Sequence, residues 1–375
     1  MWPLALLLAL LPTDGEGCPD CRYTGIVPCT GHREPSEEPT EALPLVHCSW
    51  ASACSMCGGT LWYDCGRCTG GPRSAWLEQR LAEESDWAQE NELEKAVGHP
   101  VGRIETARFE LVVAADGLKE RSRRVSAHEL AHQLAEDVEH VAALVAEHYG
   151  VTPEDYSTKM RMWVWGDRKT HEAAMGAFLG TISSGDFKAL AALPTFTVWP
   201  ERPHFDDVPK LRAVFVHNAP HLLLTNAFGT GWVGDIGGGW LDAGAGHWYE
   251  YERFGQSLNA CIEEATLNDA WEGGLWRAAM RKRLAKEKEP VLPGVFGKRT
   301  GAMSSEEQAV CYSFHDYLVA QHPAALGPML KALKRREKPA RDILAEHTGL
   351  GLLEAEEAWR AWVQETYPRR ETRPR

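Results

Sequence analysis

Seven cysteines and one histidine near the N-terminus recur at a fixed spacing: Cys18, Cys21, Cys29 and His32, then Cys54, Cys57, Cys65 and Cys68. Both runs have the form C-x2-C-x7-C-x2-C/H, so the segment contains an internal repeat. Two intervening residues let a tight knuckle aim both side chains at one ion. Gly58, Gly59, Gly70 and Gly71 let the backbone turn where a Cβ would clash. Eight ligands complete two tetrahedral zinc ions. In an exported chain the cysteines of this region could instead form four disulfides, but that ignores the C-x2-C rhythm and leaves His32 without a role. Cys48, beside His47, falls outside the count and reads as an alternative ligand or a buried thiol.

Two further histidine pairs have metal-ligand spacing. HELAH, from His128 to His132, carries a glutamate placed to act as a base. The apolar stripe of its helix runs through Ala127, Leu130, Leu134, Val138, Val141 and Val145. His128, Glu129 and His132 lie off that stripe, toward Glu136 and Glu139, so the motif reads as a solvated helix face. HNAPH, from His217 to His221, is different. It lies inside AVFVHNAPHLLLTNAF, apolar on nearly all sides, and buried histidines need partners or a metal. Before the histidines the same run reads as a short strand or an entry into a helix, and Pro220 is expected to break or kink a helix unless it begins close by. His247 follows in WLDAGAGHWYEYERFG, with Glu250 close behind.

The cysteine repeat resembles the zinc-binding cysteine-rich domain of DnaJ-type chaperones, over about fifty residues. The resemblance implies two structural zinc ions and a role in protein binding. It departs at His32 and in the unequal gap between the halves. The second half of the chain, from about residue 104 to 370, resembles the gluzincin-type metallopeptidases of the peptidase MA-like group. Those carry an HExxH helix followed by a WLxEGxAxYxE-like helix whose glutamate is the third zinc ligand. His217 and His221 fall on the two histidine ligand positions. Asn218 falls on the general-base position and Ala243 on that of the glutamate ligand. An amide cannot accept a proton from zinc-bound water, so hydrolysis by the usual route loses its base. The resemblance thus implies a peptidase fold without its chemistry, whose cleft binds a peptide or protein partner. The alternative is an active zinc peptidase using His217, His221 and a non-standard third ligand such as His247.

Several elements must position these residues. RFELVVAA, MRMWVWG and TFTVWP read as strands, Ser126 to His148 as a long helix, and the chain beyond Trp240 as mostly helical to Tyr367. That order is α+β: a zincin-like domain with a helical C-terminal half, preceded by a small two-zinc knuckle module. The expected organisation is a signal peptide over 1–17, the cysteine module over 18–72, a helical linker over 73–103, the gluzincin-like domain over 104–370, and a basic tail over 371–375. GTGWVGDIGGGW lacks the GK[ST] of a phosphate loop and reads as a flexible loop over the cleft. MWPLALLLALLP is too short to span a bilayer but has the length of a signal-peptide core, which gives export, or a cytoplasmic protein if the run is not a signal. No later segment reads as a transmembrane helix. The net charge of −13 argues against broad nucleic-acid binding.

Overall fold

The computed structural model describes residues 26–28, 45–50, 62–64, 79, 82–83, 85–87, 92–183, 185–190, 193–200, 205–229, 231–261 and 271–372. Cys18, Cys21, Cys29, His32, Cys54, Cys57, Cys65 and Cys68 lie outside them, as do residues 1–17. The chain divides into two compact units, Met1–Thr106 and Ala107–Arg375.

In the first unit, β1 (Ile26–Pro28) pairs antiparallel with β3 (Trp62–Asp64), Ile26 facing Asp64 and Pro28 facing Trp62. Each strand begins five residues beyond the second cysteine of a knuckle (26 − 21 = 62 − 57 = 5). The repeat seen in the cysteines therefore recurs in the backbone. β2 (Leu45–Cys48) pairs antiparallel with β4 (Gly102–Thr106), with a register shift between Leu45 and His47. Cys48 is fully buried and in no disulfide. Within the expected linker, residues 79, 82–83 and 85–87 are helical, and α1 spans Glu92–Val97.

The second unit is α+β with a largely helical C-terminal half. β5 (Phe109–Val113), β8 (Met160–Val164) and β10 (Thr195–Val198) run parallel, and β9 (Phe187–Ala189) closes the order 5-8-10-9 antiparallel to β10. Leu111, Val112, Met162, Trp163, Phe196 and Val198 are buried, as expected of parallel strands covered on both faces. A hairpin, β6 (Leu118–Glu120) with β7 (Arg123–Val125), lies between β5 and the helix α2 (Ala127–Tyr149). The Ser126 hydroxyl caps α2 by accepting from Glu129 N, and Gly150 ends it at φ +61°. α3 (Arg168–Leu179) follows β8.

Of the two readings of LRAVFV, strand or entry into a helix, the structure shows the second. The run lies within α4 (Val208–Asn226), which absorbs Pro220 without ending. Asp207 accepts from Lys210 N at the start, with Pro209 in the first turn, where its missing N–H costs nothing. Tertiary packing then outweighs both the valines and Pro220: every residue from Ala213 to Asn226 is buried. α5 (Gly239–Phe254) packs against α4 and against α8 (Ser305–Gln321). Between them come α6 (Trp276–Leu284) and α7 (Leu292–Phe296). α9 (Pro323–Arg335), α10 (Ala340–Thr348) and α11 (Leu352–Thr366) complete the chain. Buried Asp137 of α2 ties the helices together. It accepts from Arg212 Nε and Nη2 of α4 at 2.6 and 2.9 Å and from Arg253 Nε of α5 at 2.8 Å. No helix among the described residues is long and apolar enough to cross a membrane.

Candidate metal centre

One helical turn of α4 separates His217 from His221, so both imidazoles leave the same face. That face meets α5, which brings His247 to a ring-centroid distance of 4.7 Å from His217. Past the end of α5, the chain returns with Cys261. Its Sγ lies 3.2 Å from His221 Nε2, 3.3 Å from His217 Nε2 and 3.7 Å from His247 Nε2. The ligand atoms of His217, His247 and Cys261 all fall within 4.8 Å of one another. Exposure of the four residues runs only from 0 to 4%.

These distances can be tested against a metal. Zinc bonds of ~2.3 Å to sulfur and ~2.0–2.1 Å to nitrogen, at a tetrahedral angle, set sulfur and nitrogen about 3.6 Å apart. The three observed separations straddle that edge. The far side of each ring fits as well. His217 Nδ1 lies 3.1 Å from Glu250 Oε2, and His247 Nδ1 lies 2.9 Å from Ser257 Oγ. His221 Nδ1 sits 2.9 Å from Asp242 Oδ1, close but out of line for a directed hydrogen bond. Acceptors on Nδ1 are what hold a ligating imidazole with its Nε2 lone pair inward.

The carboxylates are themselves anchored. Asp242 Oδ2 accepts from Thr300 Oγ1 at 2.7 Å and from Trp232 Nε1 at 3.0 Å. Glu250 accepts from Leu258 N at 2.7 Å, Asn259 Nδ2 at 2.8 Å and Ser257 Oγ at 2.9 Å. Burial holds His217 and His247 well below the ordinary imidazole range, and His221 below it, so all three are neutral, the form that binds metal. Burial pushes the Cys261 thiol up, and binding would have to displace its proton.

The approach of α5 to α4 depends on Gly246. A Cβ there would lie 2.6 Å from His221 Nε2 and 3.3 Å from His217 Cε1. Part of the glycine-rich stretch before α5 is packed, while Gly229, Asp235 and Gly237 are exposed. A Cβ on Gly234 would meet Thr300 Oγ1 at 2.3 Å, and Val233 and Trp240 are buried.

Of the residues singled out in the sequence, His217, His221 and His247 converge. Asn218, where a general base would stand, turns back to donate from Nδ2 to Val214 O at 2.9 Å. Ala243, where a carboxylate ligand would stand, is fully buried. Cys261, Asp242, Ser257 and Gln308 were not foreseen. One signal pointed to the thiol: only Cys261 and Cys311 lie outside the N-terminal crowd. Cys311 instead packs its Sγ 3.6 Å from Met303 Sδ.

HELAH is not the solvated face expected of it. His128, Glu129 and His132 are half-buried, and the two Nε2 atoms are 3.0 Å apart. Lying at the start of α2 beside the β6–β7 hairpin, Glu129 forms an ion pair with Arg123. That pairing occupies the carboxylate a peptidase would use as base. Compared with known proteins, the chain matches no family model and no curated sequence.

Proposed function

We propose that the chain is a zinc-binding protein whose second unit is a gluzincin-like peptidase domain put to non-hydrolytic use. It would hold one zinc through His217, His221, His247 and Cys261 and serve as a protein- or peptide-binding module. The observation that carries the reading is the convergence of three Nε2 atoms on Cys261 Sγ at 3.2 to 3.7 Å inside a buried core. A thiolate among imidazoles favours zinc over magnesium, calcium or manganese, which prefer oxygen donors. With all four donors bound, no place is left for a hydrolytic water, as in structural zinc sites. The base position is an amide bonded to its own helix, so proteolysis by the usual route has nothing to accept the proton.

Two more zinc ions belong to the repeated knuckles, Cys18, Cys21, Cys29 and His32 with Cys54, Cys57, Cys65 and Cys68, and the apolar N-terminal run accompanies them as an export signal. Elemental analysis of the purified full chain tests the reading. Three zinc ions per chain with no chelator-sensitive peptide cleavage is the expected result. A zinc content unaffected by replacing His221 and Cys261 would remove the second-unit site.

A further inference from the structure

Gln308, fully buried on α8, competes with the metal for one of its ligands. Its Nε2 donates to Met303 O at 2.9 Å and to Cys261 O at 3.0 Å, which spends both amide hydrogens. The amide therefore cannot flip. Its Oε1 is fixed 2.9 Å from His247 Nε2 and accepts from Cys261 N at 3.0 Å. A carboxamide oxygen only accepts, and a neutral imidazole has a single N–H.

Two arrangements follow. With the hydrogen on Nε2, His247 donates to Gln308 Oε1, and Nδ1 accepts from the Ser257 hydroxyl at 2.9 Å. With the hydrogen on Nδ1, His247 donates to Ser257 Oγ. The hydroxyl then turns to Glu250 Oε2, 2.9 Å away, and the Nε2 lone pair is presented to a metal. The first arrangement binds Gln308 and no metal. The second binds metal but sets a lone pair against the Gln308 oxygen. His217 and His221 face no such choice: among the described residues the hydrogen-bonding partner of each Nε2 is Cys261 Sγ. Both arrangements are within reach, since His247 Nε2 is 2.9 Å from Gln308 Oε1 and 3.7 Å from Cys261 Sγ, close to the edge that a shared zinc would set.

We infer that His247 is an exchangeable ligand. His217, His221 and Cys261 hold the ion permanently, and the fourth position alternates between His247 and water or another small donor while His247 rests on Gln308. Three fixed protein ligands with one open position is the arrangement of zinc sites that bind or activate a small molecule. The inference rests on the zinc-binding reading above and assigns that site a labile position that four equivalent donors would lack.

Cadmium-113 resonance of the full chain tests it, because each bound ion gives its own signal. The signal abolished by Cys261→Ala reports this centre. It should persist at a shifted frequency in both His247→Ala and His247→Gln and vanish in His221→Ala. Gln308→Leu, which removes the competing acceptor, should shift it and slow removal of the ion by EDTA about tenfold. Loss of the signal in both His247 variants, or a Gln308→Leu signal with unchanged frequency and unchanged EDTA release, would overturn the exchangeable ligand. A wild-type chain with no Cys261-dependent signal would instead overturn the zinc-binding reading itself.

Discussion

His128 and His132 on α2 and His217 and His221 on α4 share one spacing, yet the two pairs have different surroundings. The first pair sits half-buried at the start of a helix, its Nε2 atoms 3.0 Å apart and the intervening Glu129 committed to Arg123. The second pair lies inside a helix buried on all sides, points at a thiol, and has a carboxylate behind each ring. Helical spacing brings two imidazoles to one face. Whether they become a metal site depends on what the rest of the fold delivers to that face and on what fixes the far nitrogen of each ring.

The largest test of the contrast is removal of a converging donor. His221→Ala or Cys261→Ala should each cost one bound zinc per chain, read by elemental analysis, and lower the thermal midpoint, because an ion bound only to the folded form stabilises it. Next is the support behind the rings. Glu250→Gln keeps the shape but removes the charge facing His217, and should weaken zinc binding by about 10–100-fold in a chelator competition. Gly246→Ala would place a methyl 2.6 Å from His221 Nε2. It should destabilise the chain by about 1–3 kcal/mol in denaturant titration and expel the ion.

Buried histidines outside the cluster sharpen the comparison from another side. Burial lowers His171 to about 4 and His315 to about 3, so both stay neutral in the folded chain and gain a proton on unfolding. Stability should therefore be full above an unfolded-state value of about 6.5 and fall as pH drops from there toward 4, by up to ~1.4 kcal/mol per pH unit for each group. His171→Phe should flatten that slope in urea unfolding followed across this range while leaving the zinc content unchanged. The smallest effect is expected from the first pair. His128 and His132 also fall in a group that could hold a metal ion. Replacing both by Ala should cost less zinc than losing His221 or Cys261, and an equal loss in elemental analysis would erase the distinction drawn between the two helices.

Local pattern made part of this readable. The short apolar strands, the long capped helix and the burial of HNAPH follow from residues adjacent in sequence. The α4 helix was only half legible, because an apolar run with valines and an internal proline reads as strand or helix entry until Asp207 caps it and neighbours enclose it. Cys261 stayed hidden for a different reason: it lies 44 residues from His217 and outside any helix, so no periodicity marks it. Glu250 was in view only as a further donor and Asp242 not at all, since only packing shows which side of each imidazole they touch. Gln308 is an ordinary helical glutamine until both of its amide hydrogens are accounted for.

Burial of the donor set also has a kinetic consequence. With at most 4% of any donor residue exposed, a hydrated ion has no direct route to the thiol and imidazoles in the closed unit. Loading and loss then need α4 and α5 to part as well as the ion to leave its ligands. A chain that folds without zinc would close on protonated donors and wait for its next opening. The metal content of a preparation would thus record the conditions under which the chain folded more than those under which it is kept.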